Sequence, residues 1–478
     1  MAELLTPNLC VIGAGAAGLS LAAGAAALGV PVVLVERGRM GGEHLNYGCV
    51  PSKAMLAAAK RAESIRSSEP FGVKSDKPVV DFAAVNDHIH RVIGAVAPND
   101  SKERFTGFGV RVIEGDASFR DNKTVVVTSK QEIKFEISAR RFVVATGSRP
   151  VTPQVPGLDQ VPYFTSESAF EMREQPKHLI VFGGGPAGLE MAQAFRRLGS
   201  EVTVLDIANP LGRDDPECTA VVLDALAREG ITIRGGVQIG RVRRLRHRIE
   251  VVLAGNAKET IQGTDLLVAV GRRPDIESLD LQAARVKHEP DRILINKRFR
   301  TSNRRVYAIG DVTGFPASTH SASHQADLLI RHLFFKKPIH MNADEIPRVT
   351  FTDPELAHIG VTDLQARERY GAIRVLRWPY RDNARAQTDR KTVGHIKVVT
   401  NPKGLILGAT IVGAGAGEQI AAWTLAIKHG LNIRAFAEIA VPYPTYMEAG
   451  RQAALTFFTP RLATNWLQRF TNLLRRFG

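Results

Sequence analysis

Two stretches of this chain repeat one pattern of apolar and polar positions. Residues 8–12 are a short, nearly unbroken apolar run, which predicts a strand buried on both faces. Gly13-Ala14-Gly15-Ala16-Ala17-Gly18 follows, then an alanine-rich segment that predicts a helix to about Leu28. Residues 32–35 form a second apolar run, closed by Glu36. The second copy is residues 179–182, Gly183-Gly184-Gly185-Pro186-Ala187-Gly188, a helix, and residues 201–205 closed by Asp206. Residues 10–35 together are apolar enough to suggest a membrane crossing. Gly13, Gly15, Gly18, Gly24, Gly29 and Pro31 argue against it, because they cut the stretch into the strand, loop, helix and strand of a βαβ unit.

Glycines so placed let the backbone turn tightly and approach a pyrophosphate at a helix N-terminus. Glu36 lies 18 residues after Gly18, where a carboxylate can bind a ribose hydroxyl pair. One such loop is a weak signal. Two, each in matched context and each ending in an acid, predict two dinucleotide sites rather than two turns that bind nothing. Asp206 would repel a 2′-phosphate, and Ile207, Ala208 and Asn209 supply no arginine to receive one. A dinucleotide with a free 2′-hydroxyl, as in NAD, therefore suits the second loop better than one with a 2′-phosphate, as in NADP, with Arg213 the side chain that could swing in and alter this.

A chain of 478 residues with 44% hydrophobic content is long enough for about three domains with a sizeable core. Cys10, Cys49 and Cys218 are too scattered for a disulfide framework or a metal cluster, which fits a reducing compartment and a cytoplasmic protein. No basic run precedes an apolar core near Met1, so no secretory leader is expected. The net charge of +15 suits anionic cofactors or an acidic lipid face. No zinc finger, RNA-binding sheet signature or basic stripe with aromatics accompanies it, so nucleic acid is not an expected partner.

Gly41-Gly42-Glu43-His44-Leu45-Asn46-Tyr47-Gly48-Cys49-Val50-Pro51-Ser52-Lys53 resembles the redox-active segment of the class I pyridine nucleotide-disulfide oxidoreductases, which include dihydrolipoamide dehydrogenase and mercuric reductase. Ala145-Thr146-Gly147-Ser148-Arg149-Pro150, Val270-Gly271-Arg272-Arg273-Pro274, Ala308-Ile309-Gly310-Asp311 and Thr319-His320-Ser321-Ala322 resemble further motifs of that family, in its order. Phe351-Thr352-Asp353-Pro354-Glu355 and residues 394–413 resemble its dimerisation domain, with alternating strands and two helices. The resemblance runs from residue 8 to about residue 457. It implies an α/β fold: two Rossmann-like domains plus an α+β dimerisation domain. The FAD-binding domain would be 1–150 and 275–340, the NAD(P)-binding domain 151–274 and the interface domain 341–459.

The same resemblance implies a homodimer with FAD at the first loop and a nicotinamide at the second. Gly13, Gly15, Gly18, Glu36, Gly42, Lys53, Ala117, Thr146, Gly147, Asp311 and His320 would serve the flavin site. Gly183, Gly185, Gly188, Glu190, Asp206 and Gly271 would serve the nicotinamide site. Lys53 and Glu190 would pair beside the flavin N5, since a buried lysine is costly without a carboxylate.

Two positions depart from the family pattern. Its first redox cysteine, five residues before the second, is His44 here, and a dithiol relay needs two sulfurs. Its His-Pro-Thr-x-x-Glu motif, from the partner subunit, reads Tyr443-Pro444-Thr445-Tyr446-Met447-Glu448. A phenol with a pKa near 10 is a hydrogen-bond donor at neutral pH and a poor thiol base. Cys49, at a helix start where the dipole can favour thiolate, His44, Lys53, Glu190, Tyr443 and Glu448 are the catalytic residues this reading assigns. It predicts a flavin-dependent NAD(P)H oxidoreductase that serves a small non-disulfide acceptor such as a quinone. A single-cysteine oxidase or peroxidase, a pyridine nucleotide transhydrogenase and a slow flavin-binding regulatory protein stay open.

Beyond Pro460, Leu462, Trp466, Phe470, Leu473, Leu474 and Phe477 recur at helical spacing, and residues 461–478 contain Arg461, Arg469, Arg475 and Arg476 but no acid. This predicts a basic amphipathic helix over 460–478, suited either to an anionic membrane surface or to docking on its own dimer.

Overall fold

The computed structural model describes residues 2–129, 131–255, 259–315, 317–459, 471, 474 and 475. Both repeated patterns form the elements they predict. The first gives the strand Leu9–Ile12, the helix Ala16–Ala27 and the strand Val32–Glu36. The second gives His178–Phe182, Pro186–Leu198 and Glu201–Leu205. Pro186 opens its helix, where a missing N–H costs nothing and φ is already helical.

Contacts divide the described residues into two compact units. One holds the residues up to Gly184, Met191–Ile207 and those of Gly236–Ala343; the other holds Gly185–Glu190, Ala208–Gly235 and those from Asp344 onward. In the first, an eight-stranded sheet is centred on parallel strands. Arg111–Phe119, Val32–Glu36, Leu9–Ile12, Arg141–Val144 and Val306–Ala308 lie side by side in that order. Their apolar residues are buried on both faces, which is why the runs show no alternation. The helix Thr319–Phe335 packs on Ala16–Ala27, and a Cβ on Gly24 would fall 2.4 Å from Ile330 Cδ1, so small residues set that approach. A second parallel array orders Glu201–Leu205, His178–Phe182, Asp265–Val268 and Phe164–Thr165.

The other unit carries an antiparallel five-stranded sheet in the order Arg348–Thr350, Glu355–Gly360, Ile406–Gly413, His395–Thr400 and Arg374–Pro379. The sequence anticipates two helices with it. Among the described residues, five form from Asp363 onward: Ala416–Lys428 and Glu448–Thr456 are substantial, and Asp363–Tyr370, Ala384–Thr388 and Arg434–Glu438 are short. Two of the short ones, Asp363–Tyr370 and Ala384–Thr388, start at side-chain caps, Thr362 and Asn383, that hydrophobic periodicity does not register. Trp423 stacks on Phe436 at 3.8 Å in the core of this unit. The helix expected over 460–478 falls outside the described residues except for Thr471, Leu474 and Arg475, where the Arg475 N–H donates to the Thr471 carbonyl.

His358 is buried in this sheet. Its Nε2–H donates to the Gly360 carbonyl at 2.9 Å, and its Nδ1 accepts from the Thr410 hydroxyl at 2.8 Å. Burial, helped by Arg348, lowers its pKa to about 4. The folded value lies below the unfolded one, so the neutral ring's stabilisation is present at neutral pH. It is lost as pH falls from about 6.5 towards 4. We expect this group to remove about 3 kcal/mol over that interval. Urea unfolding across pH should show His358→Gln with a flatter profile by that amount.

Candidate functional site

Gly13 ends the first strand at φ +106°, and a Cβ there would sit 2.4 Å from the Ala145 carbonyl oxygen. A Cβ on Gly18 would fall 1.8 Å from the Gly13 oxygen, so strand, loop and helix touch through bare backbone. Gly15, between them, faces open space. Glu36 reaches back across the loop: its carboxylate accepts from the Ala14 N–H and the Gly38 N–H, both at 2.6 Å. The second loop repeats this construction. Gly183 has φ +109° and a would-be Cβ 2.4 Å from the Ala269 oxygen, and Asp206 accepts from the Gly184 N–H at 2.5 Å. Gly185, like Gly15, meets nothing.

The redox-like segment packs on the first loop. The Gly41 N–H donates to the Ala14 carbonyl at 3.0 Å, and a Cβ on Gly42 would fall 2.8 Å from the Gly15 Cα. Gly41 and Gly42 both have positive φ, and a short helix, Gly42–Asn46, starts there. It carries His44, whose Nε2 lies 3.2 Å from the Asp100 carboxylate while its buried Nδ1 has no hydrogen-bond partner among the described residues. Cys49 opens the next helix, Cys49–Arg66, and Lys53 follows one turn on. Its exposed Sγ is 3.2 Å from the Thr319 hydroxyl. Cys10 and Cys218 are buried, and burial pushes both thiols well up.

A polar chain crosses the same region. Arg272 donates to the Ser148 hydroxyl at 2.9 Å and lies near Glu43 and Glu167; Ser148 donates to Asp311 at 2.6 Å. Desolvation raises the Glu43 carboxyl against the pull of Arg272, with Asp311 adding to the rise. Thr146 Oγ1 is buried without a hydrogen-bond partner among the described residues, beside Gly147 at φ +70°. His320 Nε2 is 3.2 Å from the Ser318 hydroxyl. Ala117 pairs with Val127 in a strand, and its side chain belongs to the buried core. Gly271 has φ +128° and precedes the strand Arg272–Pro274.

In the other unit, Glu190 is buried and accepts from the Phe351 N–H at 2.8 Å. Tyr443 is 72% exposed at the cis Tyr443–Pro444 bond, and Glu448 opens the last substantial helix. The sequence reading missed Asp100, which no local pattern connects to His44. Arg272, Glu43 and Ser148 each fall within a recognisable motif, but no local pattern shows that they form one chain.

An open-faced glycine loop and an orphaned hydroxyl suit a diphosphate-bearing cofactor, and the fold with its twin loops defines a flavoprotein that handles two dinucleotides. The chain belongs to the pyridine nucleotide-disulphide oxidoreductase family, which it matches over residues 7–326, with that family's dimerisation domain over 346–454. FAD and NAD(P)H are the cofactors of this family of flavin-dependent oxidoreductases.

A mercuric reductase of Streptomyces lividans is 34% identical over 454 residues, which span 94% of this chain and 96% of the relative. A dihydrolipoyl dehydrogenase of Thermus scotoductus is 34% identical over 464 residues, 94% of this chain and 97% of its own. Among solved structures, the Cu(II) complex of the HOCl-induced flavoprotein disulfide reductase RclA from Escherichia coli superposes with TM-score 0.85 at 25% identity. That match covers 95% of this chain and all of RclA (100%). LpdA from Mycobacterium tuberculosis shares the fold, with TM-score 0.87 at 22% identity, over 95% and 99% of the two chains. Among the described residues, no helix is long and apolar enough to cross a membrane.

Proposed function

We propose that this chain is a homodimeric FAD-dependent NADH:acceptor oxidoreductase that delivers electrons to a non-disulfide acceptor such as a quinone. The observation that carries this is the sulfur inventory. Cys49 is the one exposed thiol among three cysteines, and the position five residues before it holds a histidine bonded to a carboxylate. A disulfide cannot be resolved there by a second thiol of the same segment.

FAD, when bound, supplies the two-electron relay between nicotinamide and acceptor. Gly13, Gly15, Gly18, Gly42, Glu36, Thr146, Gly147 and Asp311 would hold it, with the backbone of Ala117 and with His320. Gly183, Gly185, Gly188, Asp206 and Gly271 would hold the nicotinamide, the acid favouring NADH. Lys53 and Glu190 would set the charge at the hydride entry. His44 would present a proton donor or acceptor to the acceptor oxygens, its ring oriented by Asp100 as carboxylates orient histidines elsewhere. Tyr443 and Glu448 would come from the partner subunit, and the exposure of Tyr443 supports that role. The protein would act in the cytoplasm, with residues 461–478 serving either an anionic membrane face or its own dimer.

The test is an acceptor screen on the purified flavoprotein. NADH should bleach the flavin within milliseconds, quinones should restore its colour, and lipoamide and glutathione disulfide should leave it reduced. Reduced enzyme that ignores every quinone but reoxidises with a disulfide sinks the proposal. His44→Cys should gain measurable disulfide turnover, and Cys49→Ser should keep quinone turnover, whereas a single-cysteine peroxidase would lose its activity.

A further inference from the structure

Dinucleotides bind at the carboxyl ends of parallel strands. At the opposite, amino ends of the same sheet lies a groove that the cofactors leave unused. Asn8, Arg140 and Arg305 immediately precede the neighbouring parallel strands Leu9–Ile12, Arg141–Val144 and Val306–Ala308. With Thr6, Pro7, Ser138 and Ala139, they line a cavity of about 480 Å³. A second cavity of about 360 Å³ adjoins it through Arg305 and is lined by Lys123, Arg285 and Arg304 with Asn122, Ser302 and Asn303.

Five cationic side chains thus face one groove, and among the described residues no carboxylate lines either lobe. All five are exposed, and among the described residues none makes an ion pair or a side-chain hydrogen bond. This sets them apart from Arg120, Arg111 and Arg292, each of which holds a glutamate in the same unit. Residues 285–305 carry eight Lys and Arg against two acids, so the excess is concentrated here.

The backbone beneath is fixed. Asn303 Nδ2 donates to the Asn122 and Ala284 carbonyls, both at 2.8 Å, and its Oδ1 accepts from the Arg305 N–H at 2.9 Å. Ser302 Oγ donates to the Arg285 carbonyl at 2.8 Å. Three separate segments, each bearing a cation, are therefore tied together by two short polar side chains. Gathering like charges on an ordered frame costs electrostatic energy that a bound polyanion would recover.

We propose that this groove is a binding site for a phosphate-bearing polyanion, spanning both lobes across Arg305 and independent of the two dinucleotide loops. Guanidinium groups suit it, since their planar donor forks match phosphate oxygens. The chemistry is shared by soluble oligophosphates and phospholipid headgroups, and the test separates them.

The full-length flavoprotein, with saturating NAD⁺ to block the dinucleotide loop, is titrated calorimetrically with tripolyphosphate. Separately, it is floated with phosphatidylglycerol or phosphatidylcholine vesicles. Binding that weakens with salt and falls at least about tenfold in Arg140→Gln/Arg305→Gln supports the site. Arg285→Gln/Arg304→Gln, which leaves the first lobe's cations in place, should weaken it too. Tripolyphosphate binding assigns a soluble ligand. Flotation with phosphatidylglycerol alone, lost in the variants, assigns a headgroup. Matching melting temperatures and unchanged flavin bleaching by NADH show that the variants fold. Absence of binding to either probe, or equal binding by wild type and both variants, overturns the proposal.

Discussion

Lys397→Met is expected to destabilise the unit built on the antiparallel sheet by about 3–5 kcal/mol, the cost of leaving a buried carboxylate without its cation. Lys397 is nearly inaccessible in the strand His395–Thr400, and its ammonium lies 2.7 Å from Asp215, 3.1 Å from Glu217 and 3.2 Å from Asp363. Burial alone would lower its pKa, but the three carboxylates outweigh burial and raise it. Asp215 is the more constrained partner. One oxygen caps the helix Pro216–Arg228 by accepting from the Glu217 and Cys218 N–H groups, and the other holds Lys397. Glu217 has Arg377 as its first partner, which brings its carboxyl down to about 2. Removing the lysine therefore strands Asp215 rather than Glu217. Asp215→Asn in the Lys397→Met background should restore much of the loss, because asparagine caps a helix nearly as well and carries no charge. Urea unfolding followed by tryptophan fluorescence reads this unit directly, since Trp378 and Trp423 both lie in it. If the double variant is as unstable as the single, the stranded charge is not the cause.

Gly183→Ala should cut NADH-dependent flavin reduction by at least about 100-fold while leaving bound FAD and its reduction by dithionite unchanged. At φ +109° an alanine is strained, and its methyl would meet backbone, the Ala269 oxygen at 2.4 Å, which cannot rotate away. The loop must shift, and with it the N–H groups that would meet the cofactor. The matching Gly13→Ala change should instead yield colourless protein. Stopped-flow bleaching and the visible spectrum decide the matter. Loss of flavin from Gly183→Ala, or normal bleaching by it, would show that the loops are not divided as proposed.

The parts of this molecule that a reader of the chain can see are those whose physics is local. The glycine loops announce themselves because positive φ and close backbone approach demand glycine at fixed offsets, and Glu36 and Asp206 because strand length fixes their distance from the loop. His44 is conspicuous by resemblance alone. Its orientation by Asp100 is hidden, because the two meet through tertiary packing across 56 positions that no periodicity links. The chain from Glu43 through Arg272 and Ser148 to Asp311 is hidden for the same reason: each member sits in a recognisable motif, but only folding brings the motifs edge to edge. Ala117 is a core position in a paired strand, which no local pattern in the sequence reveals.

Two of the three thiols are buried. A thiol-selective reagent added to the native protein meets one accessible thiol per chain, Cys49 in the redox-like segment. A fluorophore, spin label or mass tag can thus be installed at Cys49 without engineering, and the label's environment becomes a direct gauge of what enters the space beside His44.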